Sequence, residues 1–205
     1  MRNIVRLIGI ALIGMGLFSS CDNNKQQEMV YDNKVMVPPP PESQDSSTTI
    51  EDEEPIADEI TWVTWDEAMA LNRNEGKNIF VDMYTDWCGW CKRMDATTFR
   101  NQSVINAISK DFYAVKFDAE QKEAIEFRGS KFEFTKAGRR GAHGLAVALL
   151  EGRLSYPSFV YLDENLDRIT ISPGFKKPDG ILPELKWIAE EKYKTQTFKE
   201  YQNGI

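Results

Sequence analysis

"NIFVDMYTDWCGWCKRM", residues 78–94, decides how the rest of the chain is read. Its first seven residues are apolar apart from Asn78 and Asp82 and rich in strand formers, so they predict a buried strand. The strand runs straight into Cys88 and Cys91, and "CKRMDATTF" after it reads as helix. A cysteine pair at a strand-to-helix junction sits where the helix offers unpaired N–H groups and a partial positive charge. Both favour a thiolate.

CxxC has four common readings. Structural zinc needs about four soft or imidazole ligands. The chain holds only three cysteines and one histidine, His143, far from the pair, so no metal site is expected. Covalent haem attachment places a histidine after the second cysteine, where Lys92 stands. A static disulfide would close a tiny loop and restrict the unfolded chain little. A redox-active dithiol is the favoured reading, with the static disulfide as its alternative. Cys88 is expected to be the exposed nucleophile. Cys91, one turn into the helix, would attack the mixed disulfide and release the product. The pair supplies the electrons itself, so no separate cofactor is expected.

Working outward, Thr64-Trp65-Asp66-Glu67 reads as a capping box that opens a helix through "DEAMALNRNEGK". "SVINAISKDF" reads as helix and "FYAVKFD" (112–118) as a second strand. "SFVYLD" (158–163) and "DRITIS" (167–172) suggest a hairpin, and "LPELKWIAEEKY" (182–193) predicts a closing amphipathic helix. Strands alternating with helices, then a hairpin and a last helix, indicate an α/β domain with a mixed sheet.

The chain ahead of this domain is different. Residues 1–21 carry Arg2 and Arg6, no acid, and the apolar run "LIGIALIGMGLF" (7–18). That run suits a signal segment and is short for a transmembrane span. It ends in "FSSC", which resembles the lipobox of bacterial lipoproteins, with Phe18 where an aliphatic residue is usual. The resemblance implies that Cys21 is acylated and anchors the chain to a membrane; a plain signal peptide or an uncleaved anchor are the alternatives. Residues 22–59 hold 11 acidic residues against 2 lysines. With "PPPPE" and few apolar residues, they read as a disordered tether spanning roughly 35 Å r.m.s.. The acidity is confined there: residues 60–205 carry 21 acids and 21 bases. No basic patch suggests a nucleic-acid partner.

"VDMYTDWCGWCK" resembles the active-site segment of the thioredoxin superfamily, whose typical member reads WCGPCK. The resemblance covers roughly residues 60–195. It implies a thioredoxin-like fold, with a central mixed sheet flanked by helices. Cys88 and Cys91 match the attacking and resolving cysteines, and Trp87 the tryptophan before them. Asp82 matches a buried aspartate that handles protons, and Lys116 in "AVKFD" the lysine that pairs with it. "YPS" (156–158) matches the cis-proline loop. Pro157 would then hold the preceding backbone open for a substrate strand, with Tyr156 shaping the groove. Gly174 matches the glycine after the last strand. "DWCGWCKRMDATTF" is similar to exported bacterial members, among them the C-terminal domain of the transmembrane disulfide reductase DsbD.

Two departures stand out. Trp90 replaces proline between the cysteines and is a further substrate-contact candidate. It adds no cation beside the thiolate, which points towards reduction. An insertion, residues 119–154, precedes the cis-proline loop. "AEQKEAIEF" in it reads as helix, "KFEFTKAGRRG" as a hairpin, and "AHGLAVALLEG" as a second helix that His143 opens as a capping or packing residue. The combined expectation is a lipid-anchored, periplasm-facing reductase of disulfides in exported proteins, recharged by a membrane-embedded electron donor. Its rivals are an oxidase or isomerase on the same site and a non-enzymatic binding or assembly lipoprotein.

Overall fold

The computed structural model describes residues 57–137 and 140–204. The expected signal segment, Cys21 and the tether up to residue 56 lie outside the described residues. The elements run β1 (Trp62–Val63), α1 (Trp65–Asn74), β2 (Asn78–Tyr84), α2 (Gly89–Ala96), α3 (Gln102–Asp111) and β3 (Phe112–Asp118). Four short strands follow: β4 (Ile125–Phe127), β5 (Ser130–Phe132), β6 (Phe134–Ala137) and β7 (Arg140–His143). The chain then continues through α4 (Gly144–Leu149), β8 (Ser158–Leu162), β9 (Arg168–Pro173), α5 (Pro178–Ala189) and α6 (Phe198–Asn203).

Five strands form the central sheet in the order β1-β3-β2-β8-β9. The first three are parallel, and β8 and β9 run antiparallel to their neighbours. This is the thioredoxin-like fold. Side chains alternate across a strand, and β2 distributes its residues to both faces. Phe80 joins Met94, Phe99, Ile105, Ile108, Phe159, Leu185 and Ile188 on the face covered by α2, α3 and α5. Ile79, Val81 and Met83 join Trp65, Ala68, Val115, Phe117, Leu145 and Leu149 on the face covered by α1 and α4. Asp82 shares the parity of Phe80. It is therefore a buried carboxylate on the α2 side.

The Thr64–Glu67 capping box is formed, with both reciprocal bonds present. The predicted strands match β2, β3, β8 and β9 to within a residue at either end. Three expectations need correction. The helix from Thr64 stops at Asn74, before Gly76. The closing helix begins four residues early, because Pro178 occupies its first turn, where the missing N–H costs nothing. Pro183 is accommodated inside it.

The third correction concerns residues 119–127, which are not helical. The Asp118 carboxylate accepts the Glu120 N–H at 2.9 Å and turns the chain. Ile125-Glu126-Phe127 then alternates with strand period, and Phe127 meets Trp65 edge-on. β4 pairs with β5 across Arg128-Gly129, both at positive φ, as a two-residue hairpin requires. The single expected hairpin is thus two. Phe132 closes β4–β5, and Phe134 opens β6–β7. His143 caps α4: its Nδ1 accepts the Leu145 N–H at 3.2 Å and its Nε2–H donates to the Glu123 carbonyl at 2.9 Å. It takes no part in the dithiol site.

Candidate redox site

The site begins with α2. Cys88 occupies its N-cap position, and the Sγ of Cys88 accepts the Cys91 N–H at 3.1 Å. No acidic residue lies in the first turn. The helix terminus therefore presents unopposed partial positive charge to the first sulfur. Cys88 and Cys91 are joined as a disulfide with Cα atoms 5.3 Å apart. Cys88 is less exposed than expected, at 4% against 2% for Cys91. Its bond to Cys91 and the accepted N–H draw its sulfur into the first helical turn.

On the strands, Asp82 and Lys116 are register partners in the parallel β2–β3 ladder. The Lys116 ammonium donates to Asp82 Oδ2 at 2.6 Å. It also pairs with Asp95, on α2 one turn beyond Cys91. Burial pushes the Asp82 carboxyl up to about 6, with Lys116 working against the rise. Burial would lower Lys116, but Asp82 and Asp95 together hold it above its ordinary value. A carboxyl poised near 6 can take a thiol proton and return it close to neutral pH.

The mouth of the site is aromatic. Trp87 and Trp90 are both exposed by half or more. Trp87 meets Tyr156 edge-on at 6.0 Å, and its Nε1–H donates to Glu120 at 3.1 Å. Arg140, on β7, places its guanidinium 3.8 Å from the Trp87 ring centre. Trp90 packs against Phe175 at 5.2 Å with Arg93 alongside. The Tyr156–Pro157 peptide is cis. The Pro157 carbonyl accepts the N–H of Gly174, whose φ of 90° no other residue adopts easily.

The structure joins Cys88 and Cys91 at the start of α2, ties Lys116 to Asp82 and to Asp95 near that helix's end, and brings Trp87 into ring contact with Tyr156. Cys21 lies outside the described residues. The sequence reading missed Asp95, Glu120, Arg140 and Phe175. Only Asp95 left a signal there: a carboxylate four residues after Cys91 lies one helical turn further along the same face.

Residues 46–177 match the Thioredox_DsbH family, described as a protein of unknown function, DUF255. The chain belongs to this family. It is a thioredoxin-like protein with a Cys88–Cys91 pair at the start of α2. Human spermatogenesis-associated protein 20 is 27% identical over 123 residues, 60% of this chain and 14% of that protein. The thiol:disulfide interchange protein DsbD of Pseudoalteromonas atlantica is 36% identical over 45 residues, 22% of this chain and 8% of that protein. The chain thus spans about a seventh or less of the curated relatives it matches. Among solved structures, a DsbH oxidoreductase is 17% identical with a TM-score of 0.47, over 74% of this chain and 96% of that one. A disulphide-isomerase candidate from Bacteroides thetaiotaomicron is 22% identical with a TM-score of 0.46, over 69% of this chain and 98% of that one.

Proposed function

We propose that this protein is a membrane-tethered thiol-disulfide oxidoreductase that reduces disulfides of exported proteins. The observation that carries the reading is the Cys88–Cys91 pair capping α2, backed by a buried carboxylate poised near 6. In the reduced enzyme, the Cys88 thiolate attacks one sulfur of a substrate disulfide. A Cys88–substrate bond forms, the substrate bond breaks, and the first substrate sulfur leaves as thiolate. Cys91 then yields its proton to Asp82 and attacks the Cys88 sulfur. This closes the Cys88–Cys91 disulfide and expels the second substrate thiolate. Two electrons pass to the substrate, and a membrane-embedded dithiol donor restores the enzyme.

Trp87, Trp90, Tyr156 and Pro157 form the substrate-facing surface. The reductive direction rests on Trp90, which brings no cation between the cysteines to stabilise the thiolate strongly. The tether and the acylated Cys21 would hold the domain at the periplasmic face of a membrane.

The test is the reduction potential of Cys88–Cys91 in the full chain carrying Cys21→Ser, titrated in redox buffers and read from tryptophan fluorescence. A value near that of thioredoxin, about -270 mV, is expected. A value near that of a strong oxidant, about -120 mV, overturns the direction. A pair that does not cycle removes the enzyme and leaves a binding module.

A further inference from the structure

Lys116 has two carboxylates where one would neutralise it. Its ammonium is enclosed on its other sides by the rings of Trp62, Tyr84 and Phe99, at 4.9, 5.2 and 5.4 Å from the ring centres. Its charge is shared between Asp82 and Asp95. The three side chains form a line from interior to surface: 2% exposed at Asp82, 22% at Lys116, 44% at Asp95. The outer end opens into a cleft of about 280 Å³ lined by Glu59, Ile60, Trp62, Asp95, Phe99, Arg100 and Lys116. At the inner end, Asp82 Oδ1 is buried and makes no hydrogen bond. A buried carboxylate oxygen without a donor is costly as an anion and well suited to carry a proton.

We propose that Asp95 is a positioning residue of the redox site: by holding the Lys116 ammonium from the solvent side, it keeps Asp82 able to gain and lose a proton. Asp95 touches neither sulfur and acts only through Lys116. With its anion present, the cation is divided and Asp82 feels a second negative charge, which raises its proton affinity. Without that anion, Lys116 belongs to Asp82 alone, and the buried carboxylate is locked as a charged partner. The charged groups facing this line are few. Lys116 comes from β3 and Asp95 from α2, and Glu59 and Arg100 stand at the mouth of the cleft, themselves 3.9 Å apart. The neighbour of Asp82 on β8 is Phe159, which contributes no charge. This rests on the role given to Asp82 above.

The test compares full-length wild type, Asp95→Asn and Asp95→Glu, each with Cys21→Ser. The Asp82 side-chain carbon is titrated by NMR in the oxidised protein, and the pH profile of disulfide exchange is measured beside it. Asp95→Asn is expected to move the Asp82 midpoint down by roughly half a pH unit or more, a threefold fall in proton affinity. The acid limb of the exchange rate follows it, and Asp95→Glu restores both. An Asp82 midpoint that stays in place in folded Asp95→Asn overturns the proposal and leaves Asp95 a surface ion-pair partner. If the wild type exchanges no disulfide, the proposed function fails separately, and the NMR midpoint still decides whether Asp95 governs Asp82.

Discussion

Two buried carboxylates lie on the same side of the sheet, each beside a lysine, and they are built to opposite ends. Glu184 is fully engaged. Its Oε1 accepts from Ser172 Oγ at 2.8 Å and from the Lys176 ammonium at 3.1 Å, and its Oε2 accepts from the Tyr161 hydroxyl at 3.3 Å. Asp82 has one oxygen bonded to Lys116 and the other bonded to nothing. A satisfied buried carboxylate ties α5 to β8 and β9. An undersupplied one is held at a cost to folding, and that cost is what makes its proton transferable. The fold thus separates a carboxylate that holds it together from one to which the proposed function gives a proton.

Neutralising each carboxylate is the strongest way to break this contrast. Asp82→Asn is expected to slow resolution by Cys91 roughly a hundredfold near neutral pH, the scale of a lost general base. It should also stabilise the fold. The folded carboxyl titrates at about 6 against an ordinary 3.8, so between those values the folded state binds more protons than the unfolded one. Stability contributed by the protonated form is therefore lost as pH rises from about 4 to about 6, by at most about 3 kcal/mol, the opposing effect of Lys116 being already contained in that shift. Urea unfolding should show that decline in wild type and not in Asp82→Asn. Glu184→Gln should do the reverse. It should cost about 1–3 kcal/mol by disturbing three charge-assisted or buried bonds, and leave the exchange rate within a factor of two.

A smaller effect separates the insertion from the redox line by pH. His143 is buried at the start of α4, and burial holds its pKa below the ordinary value. A base depressed in the folded state is protonated first in the unfolded one. Its contribution to stability is present above the ordinary histidine pKa, near 6.5, and is lost as pH falls below it. This slope is opposite in sign to that of Asp82. His143→Asn, which keeps a capping acceptor, should remove it and leave the Asp82 slope intact. The expected size is below about 1 kcal/mol, read from denaturant midpoints between pH 7 and 5.

What was legible in the sequence was local. The run from Asn78 to Tyr84, the cysteine spacing and Thr64 with Glu67 each announce a structure that neighbouring residues suffice to form, whereas the cis bond at Tyr156-Pro157 was legible only through the family resemblance. Asp82 and Lys116 were legible only through the resemblance to the thioredoxin superfamily, and the structure puts them in register on two parallel strands. Residues 119–127 were misread because their glutamates and alanines favour helix, while Phe127 is claimed by Trp65 from another element and Ile125 joins the same core cluster. Tertiary burial overrode the local preference. Glu120, Arg140 and Phe175 escaped for the same reason: each acquires its role from a residue that only the folded chain brings beside it.

Arg140 sharpens the comparison from the outside. Glu184 and Asp82 act through what they touch inside the protein, whereas Arg140 stands beside Trp87, on the surface proposed to face substrate, on a hairpin of the insertion. Its guanidinium lies over Trp87, and Glu120 holds the far edge of the same indole. The ring is thus clamped from a face and an edge, and is presented beside Tyr156 in one orientation. Removing the guanidinium frees the indole without touching the sulfurs or the proton path. An exposed cation–π contact is worth about 0.5–1 kcal/mol, which corresponds to a two- to fivefold change. Arg140→Ala should therefore raise KM for a protein disulfide by about that factor and leave kcat unchanged. A small-molecule disulfide, too short to reach Trp87, should be reduced at the wild-type rate. An equal loss on both substrates would mean that the hairpin supports the dithiol itself and does not act as part of the substrate rim.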